Sequence, residues 1–419
     1  MMSEEYVSLR TPQVIQYIIE LYMVSKVKPS ILLLGPPGIG KSVGVKTAAQ
    51  QIAKMLNKQF VEYDDSKYEE IMKSPNDYFV FVDLRLTEVE PSDLLGIPRA
   101  VNGTMFYIPP SWASVLSKAP GILFLDEITQ VQRDDIFAVA HKVLLDKMSG
   151  FTRFRDDVMV IAAGNTPKDS PIARALPSSL INRVIVIYVS RPEITEWAEY
   201  MNDTYEDEWE RSVLAYLMYQ PNDFYEPLNP NELERLYNFA TPRTWTMAAI
   251  RLYELLHNSH ATAELIRATL TGLLGSTIGS KLYAFITSKV DVEEVLRNPG
   301  KFASLDLDKQ YFVLASAADM YNVAAYRYGD ADMNHDEGAM KEAMDRMQLI
   351  ENFLDRAIIK PKINHWKEFM TVFFVLLSNK ARGKYMPRRL FWDRVISKNR
   401  ELASFLGELA NLKKQVVAQ

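Results

Sequence analysis

The sequence predicts an α/β fold, a doubly wound parallel sheet continued by an all-helical half, and three observations predict it. Five short apolar runs, at residues 31–34, 79–82, 122–125, 158–162 and 184–188, have the length and composition of strands buried on both faces of a parallel sheet. Helical periodicity falls between them, over 42–56, 110–118 and 134–147, the alternation that builds crossover units. After Ser190-Arg191-Pro192 the strand signal stops and only helical patterns follow.

In chain order, a first helix is expected over 12–24, where Val14, Tyr17, Ile18, Leu21 and Tyr22 fall on one face behind a Thr-Pro start. The strands and helices named above follow it. Beyond Pro192, helices are expected over 193–201, 207–219, 244–257, 261–286, 308–328, 337–359, 364–379 and 388–414. Breaks separate some of them at 220–230, 297–301 and 329–335. Trp366, Phe369, Phe373, Phe374 and Leu377 form a helical stripe, which predicts a core face. The resulting division is an α/β domain over 1–190, a helical domain over 191–290 and a C-terminal helical region over 291–419.

Composition narrows the classes. The chain has 419 residues, 48% hydrophobic and 24% charged, as in a water-soluble protein of two or three domains. No apolar run approaches the roughly 20 residues of a membrane span. The start, Met1-Met2-Ser3-Glu4-Glu5, is acidic where a secretory leader is basic, so a cytoplasmic protein is expected. The absence of cysteine excludes disulfides and thiolate chemistry. A net charge of −5 argues against a surface broadly committed to nucleic acid. Acidic residues dominate from Glu193 to Glu234, and basic ones from Lys360 onward, with Lys380, Arg382, Lys384, Arg388 and Arg389 close together. Two solvated faces or a docking surface would each account for such runs.

The chemistry is concentrated in a few motifs. Gly35-Pro36-Pro37-Gly38-Ile39-Gly40-Lys41-Ser42 follows an expected strand and opens an expected helix, the context of a P-loop. Its glycines let backbone N–H groups curl around phosphate oxygens, and the helix N-terminus adds its positive dipole. Lys41 supplies a point charge to the β- and γ-phosphates, the Ser42 hydroxyl is placed for Mg²⁺, and Val43 completes the nucleotide-binding run. Ile122-Leu123-Phe124-Leu125-Asp126-Glu127 ends a strand in two carboxylates at the edge where such sheets bind ligands. An Asp-Glu pair alone also suits a helix cap. Behind a P-loop, Asp126 is expected to hold Mg²⁺ and Glu127 to polarise the attacking water. Asn165, at the tip of the run 158–163, taken alone reads as a turn former. One strand after Asp126-Glu127, it is instead placed to bond the γ-phosphate and the water. Arg183 precedes the last strand and Arg243 opens a helix in Thr241-Pro242-Arg243. Each suits either a surface arginine or a guanidinium stabilising phosphoryl-transfer charge.

Together these motifs resemble the AAA+ ATPases, and within them the MoxR-like group. The likeness extends over about residues 10–260. Its specific part is Asp83-Leu84-Arg85-Leu86, then Asp93-Leu94-Leu95-Gly96-Ile97-Pro98, then Gly103, Tyr107 and Pro109-Pro110, which resembles that group's helix-2 insert. Ala173-Arg174-Ala175-Leu176-Pro177 ending in Asn182-Arg183 resembles the stretch that carries the arginine finger, and Thr241-Pro242-Arg243 resembles sensor 2. Two departures stand out: residues 148–157 are short for the hairpin that precedes sensor 1, and the lid carries an insertion between Glu206 and Asn231. The resemblance implies ATP hydrolysis to ADP and phosphate with Mg²⁺, by catalytic Glu127, Asn165, Arg183 and Arg243. It also implies a homo-oligomeric, hexameric ring that remodels protein complexes with a separate partner, often one bearing a von Willebrand factor A domain. A nucleic-acid motor of the restriction-translocase type and a metal-chelatase-type motor subunit remain the alternative readings.

Overall fold

The computed structural model describes residues 8–170, 172–226, 238–287 and 290–407. The acidic start, residues 227–231 of the 220–230 break and the lid insertion, and the end of the helix expected over 388–414 lie outside the described residues. Two compact units emerge, one ending at Pro192 and one beginning at Glu193.

The first unit is a seven-stranded sheet in which every pairing is parallel. Its elements are β1 (Ser8–Arg10), α1 (Thr11–Val24), β2 (Ile31–Leu34), α2 (Lys41–Met55), β3 (Gln59–Glu62), α3 (Tyr68–Lys73), β4 (Tyr78–Arg85), α4 (Pro91–Leu95), β5 (Ile97–Val101), β6 (Thr104–Ile108), α5 (Ser111–Leu116), β7 (Gly121–Asp126), α6 (Asp134–Asp146), β8 (Met148–Ser149), β9 (Thr152–Arg153), β10 (Val158–Gly164), α7 (Ser178–Ile181) and β11 (Ile185–Ser190). The sheet order is β1-β11-β2-β10-β7-β4-β3. All five expected strands are present. Their apolar runs are buried because α1 and α2 pack near one face and α5 and α6 near the other, and Ile31, Phe81, Phe124, Val160 and Ala162 are essentially inaccessible. The edge strands β1 and β3 were not expected: they are short and half-polar, so they carry no apolar run. β4 also outruns its expected end by three residues. Asp83, Leu84 and Arg85 stay in register with Phe124, Leu125 and Asp126 of β7.

Two hairpins leave the sheet. β5 and β6 pair antiparallel and expose Ile97, Val101, Met105, Phe106 and Ile108. The short stretch before β10 forms a minimal hairpin, β8 with β9, whose tip residue Phe151 packs at a tilt against Tyr107, with ring centroids 5.6 Å apart.

The second unit is all-helical: α8 (Ile194–Tyr205), α9 (Ser212–Tyr219), α10 (Pro242–Leu256), α11 (Ala263–Leu274), α12 (Ser276–Ile286), α13 (Val292–Arg297), α14 (Leu307–Met333), α15 (Glu337–Leu354), α16 (Trp366–Leu376) and α17 (Pro387–Arg394). One cluster of buried side chains runs through it from Trp197 to Leu406. Several expectations are corrected. The helix expected over 261–286 is two helices, because Gly275 takes φ +82° between them. The break expected at 329–335 is largely spanned by α14, which ends only at Met333. The break at 297–301 coils into a 3₁₀ turn, Pro299–Ser304. The last helix is interrupted after Arg394 by a second such turn, Ile396–Lys398, before helix resumes at 400. The aromatic stripe on α16 is core as expected, with Phe369, Phe373 and Leu377 fully buried.

The C-terminus of α16 explains the uneven charge. Its last carbonyls are buried and need donors. Asn202 and Arg388 donate to Val375 O at 2.9 Å, Arg211 and Asn322 to Leu376 O at 3.2 and 3.1 Å, and Arg388 Nε to Leu377 O at 3.1 Å. Two guanidinium groups at a helix's negative end are also favoured electrostatically. Acidic partners complete the arrangement: Glu199 bonds Arg388 at 3.2 Å, Asp207 bonds Arg211 at 2.7 Å, Glu206 pairs with Lys380, and Asp332 lies 3.4 Å from Lys384. Lys380, Lys384 and Arg388 of the basic run thus have acidic partners inside their own unit, while Arg382, Lys384 and Arg389 stay exposed.

Candidate active site

The C-terminal edge of β2 lies between β10 and β11, where the strand order reverses, the crevice in which open α/β sheets bind ligands. Contacts within the chain hold the loop leaving β2 in shape. Gly38 and Gly40 take φ +76° and +93°, Ile39 is buried, and the Thr11 hydroxyl donates to Ile39 O at 2.8 Å. Gly35 has no room for a side chain, since a Cβ there would lie 2.3 Å from Val189 O of β11. Pro36 and Pro37 are half-buried, and Val43 is exposed on the first turn of α2.

Five of the expected residues come together here. The Lys41 ammonium donates to Gly35 O, Pro36 O and Asn165 Oδ1 at 2.7, 2.8 and 3.1 Å. The Ser42 hydroxyl donates to Asp126 Oδ2 at 2.6 Å, and the Glu127 N–H to Asp126 Oδ1 at 2.8 Å. Glu127 stands in a left-handed conformation, φ +61°, and its carboxylate accepts the Thr87 hydroxyl at 2.5 Å. Asn165, at the tip of β10, is buried, with its N–H donating to Thr129 Oγ1 at 2.9 Å. Arg183, between α7 and β11, is exposed and has no side-chain partner among the described residues. Arg243 belongs to the helical unit. It lies in the first turn of α10, exposed and likewise without a side-chain partner among the described residues.

Sequence reasoning missed four neighbours. Asp83 faces the same side of the sheet as Asp126, because its register partner Phe124 is two residues before it. Desolvation and the Asp126 charge raise the Asp83 carboxyl to about 6, against the opposing pull of Arg85 and Lys46. Arg85 lies 4.0 Å from Glu127 and bonds Glu88 at 2.7 Å. Thr87 and Thr129 hold Glu127 and Asn165. The available signal was β4 continuing past Val82, which would have carried Asp83, Arg85 and Thr87 to the same edge.

The donor set suits a nucleotide with a hard cation. Ser42, Asp126 and Asp83 present only oxygen, and the raised proton affinity of Asp83 beside Asp126 marks a place short of positive charge. A loop of N–H groups at a helix N-terminus, with Lys41 inside it, suits the phosphates.

Residues 31–189 match the family model for the ATPase family associated with various cellular activities, AAA. No curated protein matches the chain. Among solved structures it is similar to the ORC2 protein of Aeropyrum pernix, at 11% identity over 99% of this chain and 98% of that one, with a TM-score of 0.34. It is also similar to NtrX from Brucella abortus, at 16% identity over 82% and 68% with a TM-score of 0.35, and to PCH-2 of C. elegans, at 15% over 65% and 67% with a TM-score of 0.29. These likenesses are loose, and the assignment rests on the strand order, the loop and the family match. A seven-stranded parallel sheet with a P-loop at its switch point, matched from β2 to β11, is an AAA ATPase domain, and the chain is an ATP-hydrolysing enzyme on the AAA+ fold.

Proposed function

We propose that the chain works as a MoxR-like remodelling ATPase, a homo-oligomeric, hexameric ring that acts on a protein partner. The observation that carries this reading is Arg183, an exposed guanidinium beside β11 without a side-chain partner among the described residues, while Lys41, Ser42, Asp126, Glu127 and Asn165 are clustered and bonded. In a ring, such a side chain serves the nucleotide of the neighbouring chain. Arg243 is assigned to the nucleotide of its own chain, from a lid over 191–290, with 291–419 as a further helical region. At the site itself, the loop 35–42 holds the phosphates, Lys41 neutralises the β- and γ-phosphates, and Val43 borders the nucleotide. Ser42 and Asp126 hold Mg²⁺, which neutralises phosphate charge when bound. Glu127 orients the attacking water once it leaves Thr87, and Asn165 donates its free amide to the γ-phosphate. The partner is taken to be protein because the β5–β6 hairpin exposes Ile97, Val101, Phe106 and Ile108 on one face, and exposed apolar groups of this kind mark protein interaction sites. A separate subunit with a von Willebrand factor A domain fits this role.

Mixing two inactive variants tests the ring. Arg183→Ala chains lack a finger, and Glu127→Gln chains lack the carboxylate. Each alone should lose on the order of 10³-fold in turnover. In mixed rings an Arg183→Ala chain keeps Glu127 and receives Arg183 from its neighbour. Activity should then exceed the sum of the separate proteins and rise with concentration. A mixture that shows only the two residual rates, with subunits demonstrably exchanging, would end the ring reading.

A further inference from the structure

We propose that Thr129 is a positioning residue for hydrolysis, its hydroxyl locking the Asn165 tip of β10 onto the turn that carries Glu127. The proposal rests on the roles given above to Glu127 and Asn165. After Asp126 the chain turns sharply through Glu127, and Gln130 N donates back to Glu127 O at 2.8 Å. Two hydrogen bonds stitch this turn to the neighbouring strand. Ile128 N donates to Ala163 O at 3.0 Å, and Asn165 N donates to Thr129 Oγ1 at 2.9 Å. Thr129 is only 1% exposed, so its hydroxyl accepts this bond away from bulk water.

The packing is equally close. A Cβ at Gly164 would lie 2.6 Å from both Oγ1 and Cγ2 of Thr129. Only a glycine at that point lets the threonine reach under the strand tip. With its backbone held on one side, Asn165 points Oδ1 at Lys41 and leaves its amide hydrogens for a ligand. A third bond extends the lock. Thr129 O accepts the Arg174 N–H at 2.8 Å, at the start of the segment that leads to Arg183. The Arg174 side chain bonds Asp134 at 3.0 Å and lies over the Phe137 ring at 4.3 Å, so the segment is clamped to α6 as well. A single buried hydroxyl-bearing residue thus joins the water-orienting turn, the γ-phosphate-facing amide and the root of the arginine loop. Losing the hydroxyl frees Asn165 to shift, while the phosphate loop, anchored by Thr11 and Ile39, stays in place.

The test compares Thr129→Val, Thr129→Ser, Asn165→Ala and the Thr129→Val/Asn165→Ala double variant in the full chain. Measurements are kcat, KM, affinity for a fluorescent ATP analogue and melting temperature, with turnover read well below each melting point. Thr129→Val should bind the analogue as wild type does and lose on the order of 10–100-fold in kcat, with KM unchanged, as a displaced catalytic group does. Thr129→Ser should retain kcat. In the Asn165→Ala background, Thr129→Val should cost nothing further. Wild-type turnover by Thr129→Val, an equal loss in Thr129→Ser, or a full additional loss in the double variant would each overturn the proposal. If Asn165→Ala alone turns over normally, the role of Asn165 falls first and the proposal with it. If the valine variant does not fold, Thr129→Ala against Thr129→Ser carries the same comparison.

Discussion

Gly35→Ala should damage this protein through the sheet before it affects the nucleotide. The added methyl would sit 2.3 Å from Val189 O, and an ordinary contact begins near 3.4 Å, so the carbonyl must retreat by about 1.1 Å. It has nowhere easy to go. Val189 is 3% exposed and stands in register with Leu9 of β1, while the preceding residue, Tyr188, pairs with Leu34 of β2. Ile39 Cδ1, 3.3 Å from the new methyl, blocks the alternative of moving the loop. Overpacking of this kind costs about 1–3 kcal/mol, which in a domain of this size lowers the melting temperature by roughly 2–12 °C. ATP affinity should fall with it, because the new methyl also crowds Ile39 in the loop assigned to the phosphates. Gly103→Ala is the control. Nothing lies within 4 Å of its methyl, so it carries only the left-handed backbone cost of about 1–2 kcal/mol and should leave ATP binding alone. Scanning calorimetry and titration calorimetry read the two effects. A Gly35→Ala protein that melts and binds ATP as wild type does would refute the close approach of β2 and β11 that the argument uses.

Two further outcomes are expected. Lys41→Ala removes the one cation among the loop carbonyls and leaves Gly35 O, Pro36 O and Asn165 Oδ1 facing the phosphates, so ATP binding by titration calorimetry should be lost; retained affinity would contradict the P-loop assignment. Asp83 has a folded pKa raised to about 6 by desolvation and by Asp126, so its ionised form opposes folding. That cost is absent below about pH 4, grows as pH rises through the folded pKa, and is complete above it. Without nucleotide or Mg²⁺, Asp83→Asn should therefore raise the melting temperature at about pH 8 and leave it unchanged at about pH 4. An earlier melt at the higher pH would show that the carboxylate is well accommodated.

The elements that position the site were legible because burial on both faces leaves an unbroken apolar run. β2, β7 and β10 each announce themselves this way, and each ends in the residues that matter: Gly35, Asp126 and Asn165. β1 and β3 lie at the sheet's edges, where half the residues face solvent and the run dissolves. Thr87 and Thr129 were illegible for another reason. Neither belongs to a motif, and their roles exist only because β4 and β10 flank β7, a fact of register that no local pattern states. The helical half showed its content but not its divisions. Apolar periodicity runs through Gly275 undisturbed, and only the backbone angle there reveals two helices. The meeting of the acidic and basic runs was likewise invisible, because charge runs far apart in sequence do not declare their partners.

The cap on α16 has a consequence for how the chain is made. Its bonds join residues very far apart: Arg388 to Glu199 across 189 positions, Asn202 to Val375 across 173, and Arg211 to Leu376 across 165. The last strand of the nucleotide domain is complete at Ser190. At a translation rate of about 5–20 residues per second, roughly 10–40 s separate that point from the delivery of Arg388. During that interval α8 and α9 emerge with Trp197, Trp209 and Tyr216, all buried in the finished unit, before α14 and α16, which pack against these helices, have both been made. The ATPase domain can be folded and filled with nucleotide while its helical companion is still an unfinished, adhesive chain. The stretch of synthesis between α9 and α17 is therefore when this protein most needs protection from aggregation.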